Sequence, residues 1–283
     1  MASVVSSVPA AAKVGNALTT DEGVLIHEGL PHSSKVLYGN VLWDGALSLA
    51  KLFAWGQGLS PARGSCIMPA RGKSCLELGA GTGVVGLTLG LLGAKEVVVS
   101  DNEEELVEIM QRNILANGLE AVVSARVLDW ADARTFVPLG IRGQALDLVV
   151  AADVLYDGDG GLFARALCAH LPLGSETTAY VANHHSETRC DATLGFLAAV
   201  AADGLRVERL EDGSGRAVGG FRGAAGVEAV FQGARFVEVD ARDGWAAVRY
   251  ARFAIHGRSP LERIQIFRLW RPAKEGRELR CAL

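Results

Sequence analysis

Three glycines in residues 76–86, LELGAGTGVVG, stand at positions 79, 81 and 83, between a short apolar run and a helical one. Glycines at such a turn let the backbone bend sharply and lie against a ligand, with a helix N-terminus behind it. Glu77 lies two residues ahead of Gly79, so the segment reads E-x-G-x-G-x-G, with Ala80 inside the turn. Framed from Gly81, the same letters spell G-x-G-x-x-G through Gly83 and Gly86, a dinucleotide fingerprint. The strand is expected to end at Leu78, however, which makes Gly79 the first turn glycine. Asp101, followed by Asn102, ends the next apolar run 22 residues after Gly79. A carboxylate there can accept both hydroxyls of a ribose, and this spacing does not separate one adenosine cofactor from another.

Further candidates follow along the chain. Asp129 and Trp130 close a third apolar run; Trp130 can also be read as a plain core aromatic. Ala152 precedes Asp153-Val-Leu-Tyr156, which follows a fourth run and overlooks the crevice of an open α/β sheet. The alternative for this pair is a helix-capping Asp and a packed Tyr; Asp157 and Asp159 read as turn and cap residues. Asn113 and Asn117 read as helix-end and packing groups. The adjacent His184 and His185 lack a third ligand at recognisable spacing, so no metal is expected. Neither a G-x-S-x-G elbow nor a phosphate-loop lysine signature occurs.

These residues need a scaffold of alternating strands and helices. Short apolar runs at 73–78, 95–101, 122–130, 145–154 and 177–184 alternate with helical patterns at 84–93, 102–118, 159–170 and 187–204. Such alternation predicts β-α units and a parallel sheet. Residues 205–212 and 263–271 read as the last two strands. Upstream, 41–56 (VLWDGALSLAKLFAWG) has apolar residues at helical spacing and is expected to lie against the sheet. Residues 212–260, rich in Gly, Ala and Arg, interrupt the last two strands as an insertion of the kind that is often functional.

Taken together, E-x-G-x-G-x-G, the carboxylate at 101, LDW at 128–130 and ADVLYD at 152–157 resemble the motifs of class I S-adenosylmethionine (SAM) methyltransferases. With LWDGALSLAKL upstream, the chain resembles the family-16 seven-strand protein methyltransferases over about residues 36–210 and the final strand. That group includes enzymes that modify lysines of calmodulin, elongation factors and chaperones. The resemblance implies a Rossmann-like seven-strand α/β sheet with helices on both faces and an N-terminal helical extension. It implies SAM as cofactor and a protein substrate presenting a lysine. By the same resemblance Trp43 approaches the cofactor, with a core Trp packing the helix on the sheet as the alternative; Asp129 and Trp130 receive the adenine; Ala152 contacts SAM; and Asp153 and Tyr156 serve the acceptor amine. The cofactor set it implies is Trp43, Glu77, Gly79, Ala80, Gly81, Gly83, Asp101, Asn102, Asp129, Trp130 and Ala152. A small-molecule N-methyltransferase of the nicotinamide type, a nicotinamide-dependent oxidoreductase and a non-catalytic interaction protein share parts of this pattern.

Composition narrows the field. The 283 residues are 49% hydrophobic and 21% charged, as expected of one large globular domain rather than a disordered chain. No apolar run approaches the roughly 20 residues that span a bilayer. A net charge of −4 argues against general nucleic-acid binding. The charge divides unevenly: residues 1–203 carry 13 basic and 22 acidic side chains, while residues 204–283 carry 15 and 10. Five cysteines without C-x-x-C spacing indicate a reducing compartment, the cytoplasm or nucleus. Residues 1–35 are expected to form a flexible tail, with a short organelle transit peptide as the alternative, and 36–283 the domain.

Overall fold

In a computed structural model, the described residues are 17–29, 38–58, 69–137, 145–158, 160–184, 189–211, 234–239 and 264–272. The described residues build ten strands and five α-helices. A hairpin, β1 (Ala17–Thr19) and β2 (Leu25–His27), precedes a 3-10 turn at Tyr38–Asn40 and helix α1 (Asp44–Gly58). Then come β3 (Ser74–Leu78), α2 (Val84–Leu91), β4 (Glu96–Asp101), α3 (Glu104–Ala116), β5 (Val123–Val127) and β6 (Leu148–Ala152). Helix α4 (Gly161–Ala169), β7 (Thr178–His184), α5 (Cys190–Ala202), β8 (Arg206–Glu211), β9 (Arg235–Glu238) and β10 (Ile264–Trp270) complete the described chain.

Eight strands form one sheet in the order β5-β4-β3-β6-β7-β10-β8-β9. The five from β5 to β7 are parallel, and β10 runs antiparallel to both β7 and β8. Strand alternation sends side chains to opposite faces. Cys75, Val97, Val99 and Val150 meet α1, α2 and α3 through Leu49, Phe53, Val84, Leu87, Met110 and Ile114. Leu76, Leu78, Val98 and Val149 meet α4 and α5 through Phe163, Leu167, Phe196 and Val200 on the other side. The parallel strands are apolar on both faces, which is why they read as continuous runs in the sequence. Between β3 and β6 the winding reverses direction, and a crevice opens at the C-terminal ends of these two strands.

The structure corrects three expectations. Among the described residues the sheet has eight strands: β9, from within the 212–260 insertion, pairs antiparallel with β8. The N-terminal region adds a hairpin ahead of the expected helix. Part of the expected flexible tail is also folded, since Val24 and Ile26 are fully buried in the core. The remaining calls on the insertion, and the one on His185, fall outside the described residues. No helix among the described residues is long and apolar enough to cross a membrane.

Candidate active site

The crevice is a cleft of about 580 Å³ whose floor is the turn after β3. Gly79 and Gly81 have φ of 66° and 54°, in the left-handed region that disfavours side chains. Both are also crowded: a Cβ at Gly79 would lie 2.8 Å from Val154 Cγ1 and 3.0 Å from Trp130 Cζ2, and one at Gly81 would lie 2.7 Å from the Gly39 carbonyl oxygen. Bare backbone is therefore required along the floor. Gly83, expected in the cofactor set, is instead the residue that caps the entry to α2 and does not line the cleft.

Glu77 is 1% exposed, and its Oε2 accepts the Gly86 N–H at 2.7 Å. Burial pushes its pKa up to about 8, against the opposing pull of the N–H groups of Gly86 and Val85. The carboxyl thus sits under the start of α2, holding the glycine turn from below. Asp101, at the end of β4, accepts N–H groups from Gly81 and Asn102, each at 2.9 Å. Burial raises its pKa as well, the two N–H groups opposing. Each oxygen then has one backbone donor, so lone pairs remain for a ligand. Asn102 lies beside it on the cleft wall.

Across the cleft, Asp129 Oδ1 accepts the Ala131 N–H at 2.8 Å, which shapes the turn that carries Trp130. Arg165 fixes this turn by donating to the carbonyls of Trp130 and Ala131 at 2.7 and 3.0 Å. The Trp130 ring packs on Phe163, 5.1 Å between centroids, and its other side borders Gly79. It belongs to both the core and the cleft. Trp43 does not pack in the core: it is 38% exposed, its Nε1 donates to the Tyr38 carbonyl at 2.8 Å, and the Arg189 guanidinium lies 5.8 Å from its ring centroid. Ala152, half-buried at the end of β6, completes this wall.

Asp153 has a φ of 55° and is 7% exposed. Its Oδ2 accepts the Gly45 N–H at 2.7 Å and its Oδ1 the His184 N–H at 2.9 Å; Ala46 N–H also bonds the carboxylate, and Arg189 Nη1 lies 3.5 Å from Oδ1. The carboxylate ties the start of α1 to the end of β7. These backbone donors hold it in place at the cleft wall, where the expectation was that it orients the acceptor amine. Burial raises its pKa, opposed by these donors and by Arg189. Tyr156, three residues on, is 47% exposed at the cleft mouth, its ring 5.8 Å from that of Tyr38. Its phenol pKa is raised by burial and by Asp101, so the hydroxyl keeps its proton.

A family model described as lysine methyltransferase matches residues 29–189. The chain belongs to the lysine methyltransferase family. The chain is similar to the protein N-terminal and lysine N-methyltransferase EFM7 of Gibberella zeae, 28% identical over 188 residues, or 60% of this chain and 67% of that protein. The protein N-lysine methyltransferase METTL21A of Danio rerio is 33% identical over 119 residues, covering 41% of this chain and 47% of that one. The protein-lysine N-methyltransferase EFM6 of Saccharomyces cerevisiae is 37% identical over 94 residues, 30% of this chain and 38% of that one. The chain thus aligns with less than half of the latter two proteins. SAM is the methyl donor of this class.

The lysine methyltransferase cleft suits such a cofactor on its own features: a side-chain-free floor, a carboxylate with spare lone pairs at the end of β4, an aromatic wall, and a volume within the range of small-molecule sites. All of the expected site residues except Gly83 line it. Tyr38, Val41, Leu162 and Arg189 line it too, and the sequence reading did not single them out. Tyr38 lies five residues before Trp43 outside any motif, and no motif marks Arg189. Among the described residues no three His, Cys, Asp or Glu side chains could together hold a metal ion.

Proposed function

We propose that this chain methylates the ε-amine of a lysine in a protein substrate, in the cleft between β3 and β6. The observation that carries this reading is the arrangement of that cleft, with a bare glycine floor at one end and the exposed Tyr156 at the other, in a chain of the lysine methyltransferase family. Bound SAM supplies a methyl group activated by its sulfonium charge. Gly79, Ala80 and Gly81 would lie under the cofactor, Asp101 would accept its ribose hydroxyls, and Asp129 with Trp130 would border the adenine. Trp43, Asn102 and Ala152 would close the remaining walls. Glu77 we assign to holding the turn rather than to touching the ligand.

The acceptor must arrive as a neutral amine, and a free lysine with pKa about 10.4 is only about one part in a thousand neutral at pH 7.4. A nearby carboxylate would favour the ammonium, so it would work against the nucleophile. Asp153 is held by the N–H groups of Gly45, Ala46 and His184, and its charge is offset by Arg189, 3.5 Å away. We assign it as a positioning residue for α1 and for Trp43 at its head. Desolvation in the cleft and the sulfonium charge of bound SAM would lower the lysine pKa, and the proton would leave to water. Tyr156 walls the acceptor channel and fixes its angle; alignment of this kind is worth several orders of magnitude in rate.

Tritiated SAM added to an extract of cells depleted of this protein tests the reading. A labelled protein band should appear on addition of the purified chain, with the label on lysine by mass spectrometry. Label confined to small molecules, or no label despite SAM binding, would overturn it.

A further inference from the structure

Among the described residues that line the cleft, Arg189 is the only one with a basic side chain, while Glu77, Asp101, Glu103, Asp129 and Asp153 bring carboxyl groups. The Arg189 side chain is 18% exposed, so its guanidinium has lost most of its water. A charge in that position is costly unless hydrogen-bonding partners replace the water. The partner in view is Asp153, and the match is poor. Arg189 Nη1 stands 3.5 Å from Asp153 Oδ1, well beyond the roughly 2.7–2.9 Å of a charge-assisted bond. The two Asp153 oxygens already accept backbone N–H groups at 2.7 and 2.9 Å. A guanidinium presents a fork of N–H donors, and among the described residues the rest of the Arg189 fork has no hydrogen-bond partner.

The group is nevertheless held in place. Its guanidinium carbon lies 5.8 Å from the Trp43 ring centroid, and its carbonyl accepts the Thr193 hydroxyl at 3.1 Å. A fixed, largely dehydrated cation with spare donors at the wall of a cleft is half of an anion site. Strand order identifies the anion. Asp129 and Trp130 follow β5, Asp101 ends β4, and the sheet runs β5-β4-β3-β6-β7. With adenine at the first of these strands and ribose at the second, the amino-acid end of the cofactor runs over the glycine turn toward β6 and β7. Arg189 follows β7 and faces Asp153, which follows β6. The carboxylate at that end is the one anionic group of SAM.

We propose that Arg189 binds the α-carboxylate of the cofactor's methionine moiety and selects cofactors that carry it. This deepens the reading of the cleft as a SAM site and rests on that reading. Guanidinium and carboxylate match as two parallel N–H···O bonds, a geometry that a lysine in this place would not offer. Nη1 still faces Asp153, so one cation serves two carboxylates, and the cofactor's own ammonium offsets the second. A decarboxylated cofactor would leave the fork unpaired in a largely dehydrated place. A site built to hydrogen-bond a polar group rejects an analogue without it for that reason.

Calorimetry on the full chain tests this with two probes, S-adenosylhomocysteine and its decarboxylated analogue S-adenosyl-3-thiopropylamine. The wild type should bind S-adenosylhomocysteine about 10- to 100-fold more tightly, the size of hydrogen bonds to a charged group. Arg189→Met removes the fork and keeps the bulk; Arg189→Gln also removes the charge but keeps an N–H for Asp153, which guards the wall. In both, the preference should fall to about threefold or less. A loosened wall would weaken both probes alike and leave their ratio where it was. An unchanged ratio in either variant, or equal binding of the two probes to the wild type, would overturn the assignment. Failure of the wild type to bind S-adenosylhomocysteine at all would instead overturn the SAM reading of the cleft.

Discussion

Asp153 shows at the scale of one residue how spacing and chemistry can separate. D-x-x-Y was visible in the sequence, and both side chains line the cleft, but the direction of the carboxylate depends on Gly45 and His184, 108 and 31 residues away in the chain. No local pattern encodes those partners. Removing the carboxylate strands the backbone N–H groups of Gly45, Ala46 and His184, so Asp153→Ala should cost about 1–3 kcal/mol of stability and weaken SAM binding at the same time. Denaturant titration and calorimetry measure the two effects; a variant with normal SAM affinity and little methyl transfer would return Asp153 to a role on the amine. Asp101 should behave differently, because its loss removes hydrogen bonds to the cofactor. Asp101→Ala is expected to weaken SAM by about 1–3 kcal/mol, with calorimetry again the check, and undiminished affinity would reject the ribose assignment.

At the scale of elements, the parallel strands were legible because burial on both faces makes them unbroken apolar runs. Hairpin β1-β2 was not. Its strands are three residues each, and its stability comes from side chains on α3: Asn117 Oδ1 accepts the Leu25 N–H and its Nδ2 donates to the Leu25 carbonyl, at 2.8 and 2.7 Å. Asn113 repeats the pattern one turn earlier with both backbone groups of His27, at 2.8 and 3.2 Å. Two asparagines four residues apart on one helix face thus act as a substitute strand for β2. Strand β9 was missed for a related reason, since its only cue is four residues inside a Gly-rich stretch. The entry to α2 carries its own testable consequence. Glu77, with a folded pKa of about 8 against an ordinary 4.5, keeps a proton that the unfolded chain releases between those values. The folded state therefore binds more protons across that window, and stability falls as pH rises through it. Glu77→Gln has no carboxyl to ionise there. Relative to the wild type it should gain on the order of 1–3 kcal/mol between pH 5 and pH 8.5, read from denaturation midpoints at each pH. A pH-independent difference would mean that Glu77 ionises normally in the fold.

For the whole molecule, the cleft lies where it does because the sheet reverses its winding between β3 and β6, a feature of strand order rather than of any one motif. The alternation of strands and helices made that order foreseeable, whereas the roof of the cleft, built from 38–43 on the hairpin, came from long-range contacts invisible in the sequence. The glycine turn and the carboxylate at 101 left an adenosine cofactor of either kind open, and here the two cofactors make opposite predictions. A ligand that binds only the folded state stabilises it by about 2.7 kcal/mol at a hundredfold excess over its Kd. For a domain of this size each kcal/mol raises Tm by roughly 2–4 °C. S-adenosylhomocysteine at saturating concentration should therefore raise Tm by about 5–10 °C, and NADH should leave it unchanged. The roof should contribute to that gain, since it covers the turn on which the cofactor would rest. Asn117→Ala removes two hydrogen bonds to Leu25 and none to the glycine turn, so this variant should melt lower without ligand and also show a smaller shift with S-adenosylhomocysteine. A lower starting Tm with an undiminished shift would mean that the hairpin only stabilises the fold; a shift with NADH but not with S-adenosylhomocysteine would reject the methyltransferase cofactor altogether.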